Sequence, residues 1–427
     1  MYAPIFIMFI TLLVCMLIGL PIVWSLGISC ITALVAMEDM PFVLLAQRCF
    51  HACNSSSFLA VPAFCIAGEV MSQGGISKKL INLATLLLGR IRGSLAMVSI
   101  ATCALFAAMT GSANATTVAV GSIMYPEMKE RGYDPDFSAA VQAVGGTLGP
   151  VIPPSVTMIF YGIAANVSIS KLLLSGVIPG ILCAALMCIT SYFLARKFNM
   201  PVECVPFSWE GLWKSFKDAF LALLMPVFIL GSIYLGICTA TESAAIAAVY
   251  GIIIASLVYK TVSWKELINI AKNSAVATVN VTIMVITAQV FGWLVTYYNV
   301  PTLFAEYIRS ISSSPTVFLF LTLIVLLIAG MFMEALSVVV IVAPILAPVA
   351  ASFGLDPIFY GFFVVFIMCI GIASPPFGPC LFMSCSITGR PFSKVAKWSI
   401  PLLLTEVAMA IIVMFVPEIV TFLPNMM

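Results

Sequence analysis

The stretch Gly149-Pro150-Val151-Ile152-Pro153-Pro154-Ser155 decides how this chain is read, because its pattern returns 222 residues later as Gly371-Ile372-Ala373-Ser374-Pro375-Pro376-Phe377. Both copies interrupt apolar runs that would otherwise be membrane-spanning helices. A double proline removes two backbone donors and collides with the preceding turn, so a helix breaks there. Hydrocarbon cannot satisfy the carbonyls this frees. Broken backbone therefore survives at membrane depth only inside protein or beside a water-filled cavity. Broken helices at matching places in two halves of a chain point to the binding site of a transporter.

The match extends outward from the prolines. At the same offset Pro126 pairs with Pro348, Gly132 with Gly354, Asp134-Pro135 with Asp356-Pro357, Phe137 with Phe359, and Pro179 with Pro401. Five proline coincidences fall within 54 residues without a gap, where 25 prolines in 427 residues would give roughly 0.2 by chance. Two unrelated kinked helices, common as they are in membranes, would not share a register. The chain contains an internal repeat.

Composition sets the class. The chain is 62% hydrophobic and 8% charged, with a mean hydropathy of +1.17. Soluble domains carry about 25% charged residues, so the reading is an all-α polytopic membrane protein. A net charge of +2 and the lack of a basic domain argue against nucleic-acid binding. The first basic residue is Arg48, so the N-terminus lacks the positive region of a cleavable signal peptide and its first apolar run is expected to stay. Thirteen cysteines are scattered, mostly in apolar runs and without a CxxC, and read as small core residues. Cys49, His51 and Cys53 alternate in sequence but would spread around a helix, and a fourth metal ligand is not evident.

The apolar pattern divides the chain into scaffold helices over 1–56 and a first repeat core over 57–195. That core holds a hairpin at 93–125 and a broken helix at 137–166. A cytoplasmic loop at 196–218 and scaffold helices over 219–272 follow. The second core, 273–427, holds a hairpin at 316–350 and a broken helix at 357–388. Pro4 to Ala36 would run about 50 Å as one helix, too long for a 30 Å hydrocarbon core, so Gly19-Leu20-Pro21 should divide it. A periplasm-facing loop with Arg48 and His51 follows, then a short span at 57–72 and a basic amphipathic surface helix over Ser77–Arg92. Further spans fall near 172–195, 219–238, 241–259, 274–298 and 399–423.

The hairpins are read as re-entrant. Arms Ser94–Met109 and Thr117–Met124 are joined by the small, uncharged, polar run Thr110-Gly111-Ser112-Ala113-Asn114-Ala115-Thr116. In the second half, Val317–Met331 and Ser337–Val349 are joined at Met333-Glu334-Ala335-Leu336-Ser337, and Glu334 is the repeat partner of Ser112. Hairpin one has Arg90, Arg92, Lys129 and Arg131 at its base, and basic loops at 196–217 and 260–272 lie on the same side. Hairpin two has Asp356 and a single nearby cation, Arg309. The positive-inside rule then opens hairpin one to the cytoplasm and hairpin two outward, an inverted repeat.

Tips and breaks offer the ligands that sodium, a hard cation, prefers: neutral hydroxyls and unwound carbonyls. Half-helix N-termini favour an anion. One sodium site is expected where Gly111, Ser112, Asn114 and Thr117 meet Gly149, Pro153, Ser155 and Thr157. The other is expected where Glu334 and Ser337 meet Ser374, Pro375 and Gly378. Substrate is expected between the tips, at Ser112, Ala113, Asn114, Thr116, Pro154, Glu334, Ala335 and Pro376. An intramembrane acid is a functional candidate, and Glu334 is the first choice. Glu242 is read as a helix start or an anchor between helices, and Glu69 and Glu406 as reaching an interface. No paired carboxylates, nucleophile–base pair or phosphate loop appears, so an enzyme is a poor reading.

At these motifs the sequence resembles the large membrane subunit of TRAP (tripartite ATP-independent periplasmic) transporters, over essentially the whole chain. The carriers are Pro62-Ala63-Phe64-Cys65-Ile66-Ala67-Gly68-Glu69-Val70-Met71, Gly111 to Thr116, Gly149 to Ser155, Thr239-Ala240-Thr241-Glu242-Ser243-Ala244 and the Pro375-Pro376 segment. Ala240 departs from the family's usual Thr-Pro-Thr-Glu, which touches the rigidity of a helix start. The resemblance implies a sodium-coupled importer of an organic acid in the inner membrane of a bacterium or archaeon. It implies an elevator motion, no cofactor beyond sodium as coupling ion, a separate small four-helix membrane subunit and a periplasmic substrate-binding protein. A binding-protein-independent sodium-coupled anion carrier of similar architecture stays open, as does a non-transporting membrane scaffold.

Overall fold

In a computed structural model the structure describes residues 3–37, 41, 43–54, 59–74, 76–88, 93–201 and 208–427; Arg90 and Arg92 lie outside them. Among the described residues the chain is helical and holds no strand, and seven helices are long and apolar enough to cross a membrane. The repeat is visible element by element. Hairpin one is α6 (Ser94–Thr110) and α7 (Ala113–Glu130), and hairpin two is α16 (Pro315–Phe332) and α17 (Ala335–Ser352). Broken helix one is α8 (Pro135–Gly146) and α9 (Val156–Ala165), and broken helix two is α18 (Pro357–Gly371) and α19 (Pro379–Thr388).

The corner between each hairpin and its broken helix repeats the same local chemistry. Gly132 (φ 82°) and Gly354 (φ 76°) turn the chain in the left-handed region. Asp134 Oδ1 then accepts from Asp136 N and Phe137 N, both at 2.9 Å, and Asp356 Oδ1 from Ile358 N and Phe359 N, both at 2.8 Å. Each carboxylate covers two of the amides a helix start leaves bare, and the proline that follows has no amide to cover. The two helices so started form the centre of the fold: residues 136–146 of α8 and 359–371 of α18 are buried throughout.

The hairpin tips stop part-way through the protein. Helix α8, with 12 residues, rises about 18 Å from the corner before the break. The tip of hairpin one meets that break, although its arms of 17 and 18 residues are each about 26 Å long, so the arms are inclined. Only Gly111 and Ser112 separate the arms; Ala113 to Thr116, expected in the joining segment, already form the first turn of α7.

Around this body lie α1 (Ala3–Leu17) and α2 (Ile22–Val35), divided as expected at Gly19 (φ 84°). Arg48 and His51, expected in a loop, sit instead on α3 (Val43–Cys53), an apolar helix packed along α14. Next come α4 (Ala60–Gln73), α5 (Ile76–Leu88), α10 (Ile169–Ser175), α11 (Val177–Lys197), α12 (Trp209–Tyr234) and α13 (Ala240–Ile253). The expected loop 196–218 is therefore shorter, since α12 begins at Trp209 on a Ser208 cap. Helix α13 packs a small-residue face of Ala240, Ser243, Ala244, Ala247 and Gly251 along α4. Glu242 closes the capping box that starts α13, with Thr239 N donating to it at 2.8 Å, as its sequence position suggested.

Helix α14 (Trp264–Tyr297) runs 34 residues, about 51 Å, and starts ten residues before the expected span because Ser263 and Glu266 form a second capping box. Most of the basic loop placed at 260–272 is thus its first turns. Helix α15 (Val300–Ile311), the repeat partner of α5, is amphipathic and was not foreseen. The fold ends with α20 (Phe392–Phe415) and α21 (Glu418–Asn425).

Candidate transport site

The tip of hairpin one is shaped by contact with its own break. Gly111 ends α6 in the left-handed region (φ 62°), and a Cβ there would lie 2.3 Å from Pro154 O, so glycine is required twice over. Ser112 is extended and its Oγ accepts from Ala115 N at 3.5 Å, capping α7. Thr116 donates to Ser112 O at 2.8 Å and pairs with Thr110 at 3.2 Å, which fastens the tip to both arms. Across from it, a Cβ at Gly149 would lie 2.5 Å from Ser112 O, and one at Gly146 would lie 1.9 Å from Thr117 Oγ1. Break one then crosses the cis Pro153-Pro154 bond to Ser155, whose Oγ accepts from Met158 N at 3.2 Å and caps α9.

Hairpin two meets its break the same way with different chemistry. Gly330 and Gly371 pack backbone to backbone: a Cβ on either would come within 2.8 Å of the other's Cα. Gly378 N donates to Met331 O at 2.9 Å, and Cys380 N bridges the break to Ile372 O at 2.9 Å. The two halves touch where the Cys380 thiol donates to Asn114 Oδ1 at 3.7 Å.

Between the tips lies a cavity of about 310 Å³. Four helices begin at its wall: α7 at Ser112–Ala113, α9 at Val156–Thr157, α17 at Glu334–Ala335 and α19 at Pro379. Each brings a positive dipole end to the wall, which suits an anion, although α19 adds no free amide in its first two positions, since Pro379 has none and Cys380 N is bonded to Ile372 O. Among the described residues, no Lys or Arg lines the cavity. Two carboxylates do: Glu334, and Glu69 of α4, which accepts from Gln73 Nε2 at 2.6 Å.

The expected site residues divide into three groups. Gly111, Ser112, Ala113, Asn114, Thr157, Glu334 and Ala335 line the cavity. Gly149, Pro153, Pro154, Ser155, Thr116 and Thr117 form the buried layer at break one and behind tip one. In the second half Gly378 is tied to hairpin two, and the Ser374 hydroxyl donates to Ile370 O at 2.7 Å. Ser337 turns to Met284 Sδ of α14 at 3.7 Å, while Pro375 is half-buried and Pro376 exposed, all three off the cavity wall.

Two acids differ from expectation. Glu69 lines the cavity, because α4 packs on α6 with Gly68 against Thr110. Glu406 is buried inside α20 at 1% exposure instead of reaching an interface. Sequence reasoning missed Asn273 and Ser274, which face the cavity from α14. The signal was a polar Lys272-Asn273-Ser274 run inside an apolar helix.

Comparison with known proteins agrees with this architecture. The family described as "Tripartite ATP-independent periplasmic transporter, DctM component" matches residues 9–419. The chain is 35% identical to the C4-dicarboxylate TRAP transporter large permease protein DctM of Rhodobacter capsulatus, over 99% of each chain. It is 36% identical to the isethionate TRAP transporter permease protein DctMQ of Oleidesulfovibrio alaskensis, over 95% of this chain and only 64% of that longer protein. The fold is shared, at 14% identity, with the crystal structure of the YdaH transporter of Alcanivorax borkumensis (TM-score 0.62, 88% of each chain). Full-length similarity at this level, with the duplicated hairpins and breaks, places the chain in the DctM family of large, multi-pass permease subunits of TRAP transporters.

Proposed function

We propose that this subunit imports an organic anion across the inner membrane, driven by sodium, by moving the tips, breaks and bound ligand as one body past α4, α12, α13 and α14. The observation that carries the reading is the cavity where four helix N-termini meet without a Lys or Arg among the described lining residues. Helix dipoles attract the anion, and tip oxygens beside each break hold the cations. Sodium also offsets the negative charge of Glu334 and Glu69, which would otherwise repel an anionic substrate. The named cargoes of the relatives, a C4-dicarboxylate and isethionate, are small organic anions, and the cavity is proportioned for that class.

A periplasmic binding protein delivers the substrate, and a small membrane subunit covers the apolar outer face of α1 and α2, where Phe6, Leu13, Leu17 and Trp24 are exposed. Charge supports the orientation. Lys129 and Arg131 flank the corner of hairpin one, Tyr133 there donates to Pro201 O just past Arg196 and Lys197, and Arg390 pairs with Asp136 at 2.6 Å. These cations mark the cytoplasmic side.

The test is uptake into proteoliposomes holding both membrane subunits, with the binding protein added and a sodium gradient imposed. Uptake should follow the gradient, and Ser112→Ala and Ser374→Ala should each raise the sodium needed for half-maximal rate. Sodium dependence unchanged in both variants overturns the site assignment; uptake indifferent to sodium overturns the coupling.

A further inference from the structure

Glu406 sits midway along α20, buried, with its Oε1 hydrogen-bonded to the Thr147 hydroxyl at the start of break one. The same hydroxyl oxygen lies 2.5 Å from Val144 O. One threonine hydroxyl carries one hydrogen and here faces two acceptors. If Thr147 donates to Val144 O, the contact with Glu406 needs a hydrogen from Glu406. If it donates to Glu406, a hydroxyl oxygen is pressed against a carbonyl oxygen with no hydrogen between them. Both contacts are satisfied only when the carboxyl carries its own proton.

The second carboxyl oxygen agrees. Glu406 Oε2 is buried and has no hydrogen-bond partner. On a neutral carboxyl this is one bare carbonyl oxygen; on a carboxylate it is an unpaired charge in an apolar interior, which is far more costly. Helices α8, α11, α18, α19 and α21 pack against α20. The titratable groups these helices place within electrostatic reach of Glu406 are three buried thiols: Cys183 of α11, Cys369 of α18 and Cys380 of α19. Asp136 lies at the opposite end of α8, paired with Arg390, and Glu418 starts α21. None of these can neutralise a carboxylate, and thiols are poor partners for a hard cation. The repeat partners of Thr147 and Glu406 are Cys369 and Ala184, so the device exists once, at break one only.

We propose that Glu406 is a proton-binding site of the transport body: it holds a proton in the working protein and, as a positioning residue, fixes break one through the relay Glu406–Thr147–Val144. Loss of that proton breaks one of the two hydrogen bonds that shape the backbone behind tip one. The proton itself is independent of whether sodium is the coupling ion; its effect on uptake rests on the proposed transport.

The proton is read by infrared spectroscopy of the assembled transporter at neutral pH. A protonated-carboxyl band that moves in heavy water should be present, shift in Thr147→Val, and disappear in Glu406→Gln. Glu334→Gln should leave it in place. In proteoliposomes Glu406→Gln, neutral and still able to donate to Thr147, should keep uptake within about twofold of the unmodified protein, whereas Glu406→Leu, lacking the donor, should lose about tenfold. As pH rises, uptake should decline in the unmodified protein and stay level in Glu406→Gln. A spectrum without a band assignable to Glu406, or a folded Glu406→Gln as impaired as Glu406→Leu, overturns the proposal. The Thr147→Val shift decides it even if neither Glu406 variant folds.

Discussion

Gly149→Ala is the sharpest perturbation of the first tip–break contact. The added Cβ would lie 2.5 Å from Ser112 O, 2.6 Å from Ser112 C and 2.8 Å from Ala113 N, against 3.4 Å for ordinary contact. All three neighbours are backbone, so no side chain can swing aside, and the tip must retreat by about 0.9 Å, with a typical overpacking cost of about 1–3 kcal/mol. Oxygen ligands on both sides of the contact would separate by the same amount, and displacements near 1 Å cost about a hundredfold in comparable preorganised sites. Half-maximal uptake should therefore need at least about tenfold more sodium, equivalent to about 1.4 kcal/mol or more. The assay is uptake against external sodium in proteoliposomes, with thermal melting to confirm folding. Gly231→Ala on α12, where a Cβ meets nothing within 4 Å, is the control and should match the unmodified protein. A folded Gly149→Ala protein with normal sodium dependence would refute the idea that tip one and break one form a single ion site.

Accessibility labelling of single cysteines should place Lys129 and Arg131 on the cytoplasmic side and Asp356 outside; all three on one side would sink the inverted topology. Cysteines replacing Met284 and Ser337, whose side chains touch at 3.7 Å, should on crosslinking stop uptake while leaving sodium binding intact. Transport that survives complete crosslinking favours local gating over an elevator. Asp134→Ala and Asp356→Ala each remove the acceptor for two helix-start amides and should each cost about 1 kcal/mol, seen as similar drops in melting temperature; a large difference between them would mean that the two corners are not equivalent.

The periodic features of the fold were legible in the sequence because they rest on local chemistry. Glycine, aspartate and proline at residues 132–135 and 354–357 specify a turn, a cap and a helix start without help from the rest of the chain. The breaks followed from proline alone. What composition could not reveal was where a helix starts when its cap is polar and its first turns are charged, which is why α14 begins ten residues before its apolar span. It also could not reveal which helices share a wall. Glu69 reads as an interfacial acid until α4 is packed on α6, and Glu406 until α20 is packed on break one. Burial of an isolated acid is a property of tertiary packing, not of local sequence.

Divergence between the halves is where the chemistry resides. The repeat fixes the frame: two tips, two breaks and two close glycine contacts. Tip and break residues then depart from it mostly in one direction, Ser337 for Ala115 and Ser374 for Ile152 being the exceptions. Ser112, Thr116, Thr117 and Thr157 in the first half are replaced at the same offset by Glu334, Val338, Val339 and Pro379 in the second. Hydroxyls thus concentrate around tip one, and a carboxylate stands at tip two. Break one is buried, while Pro376 and Phe377 of break two are exposed. A perfectly symmetric pair of sites would bind two like ions with equal affinity. On the proposed sodium-coupled reading, these substitutions would make one site a cage of neutral oxygens and the other a site beside a charge, and the ions should bind with different affinity and respond differently to substrate. In the proposed elevator the inverted frame would let the body face either side, and the unequal tips would give it an order in which to load.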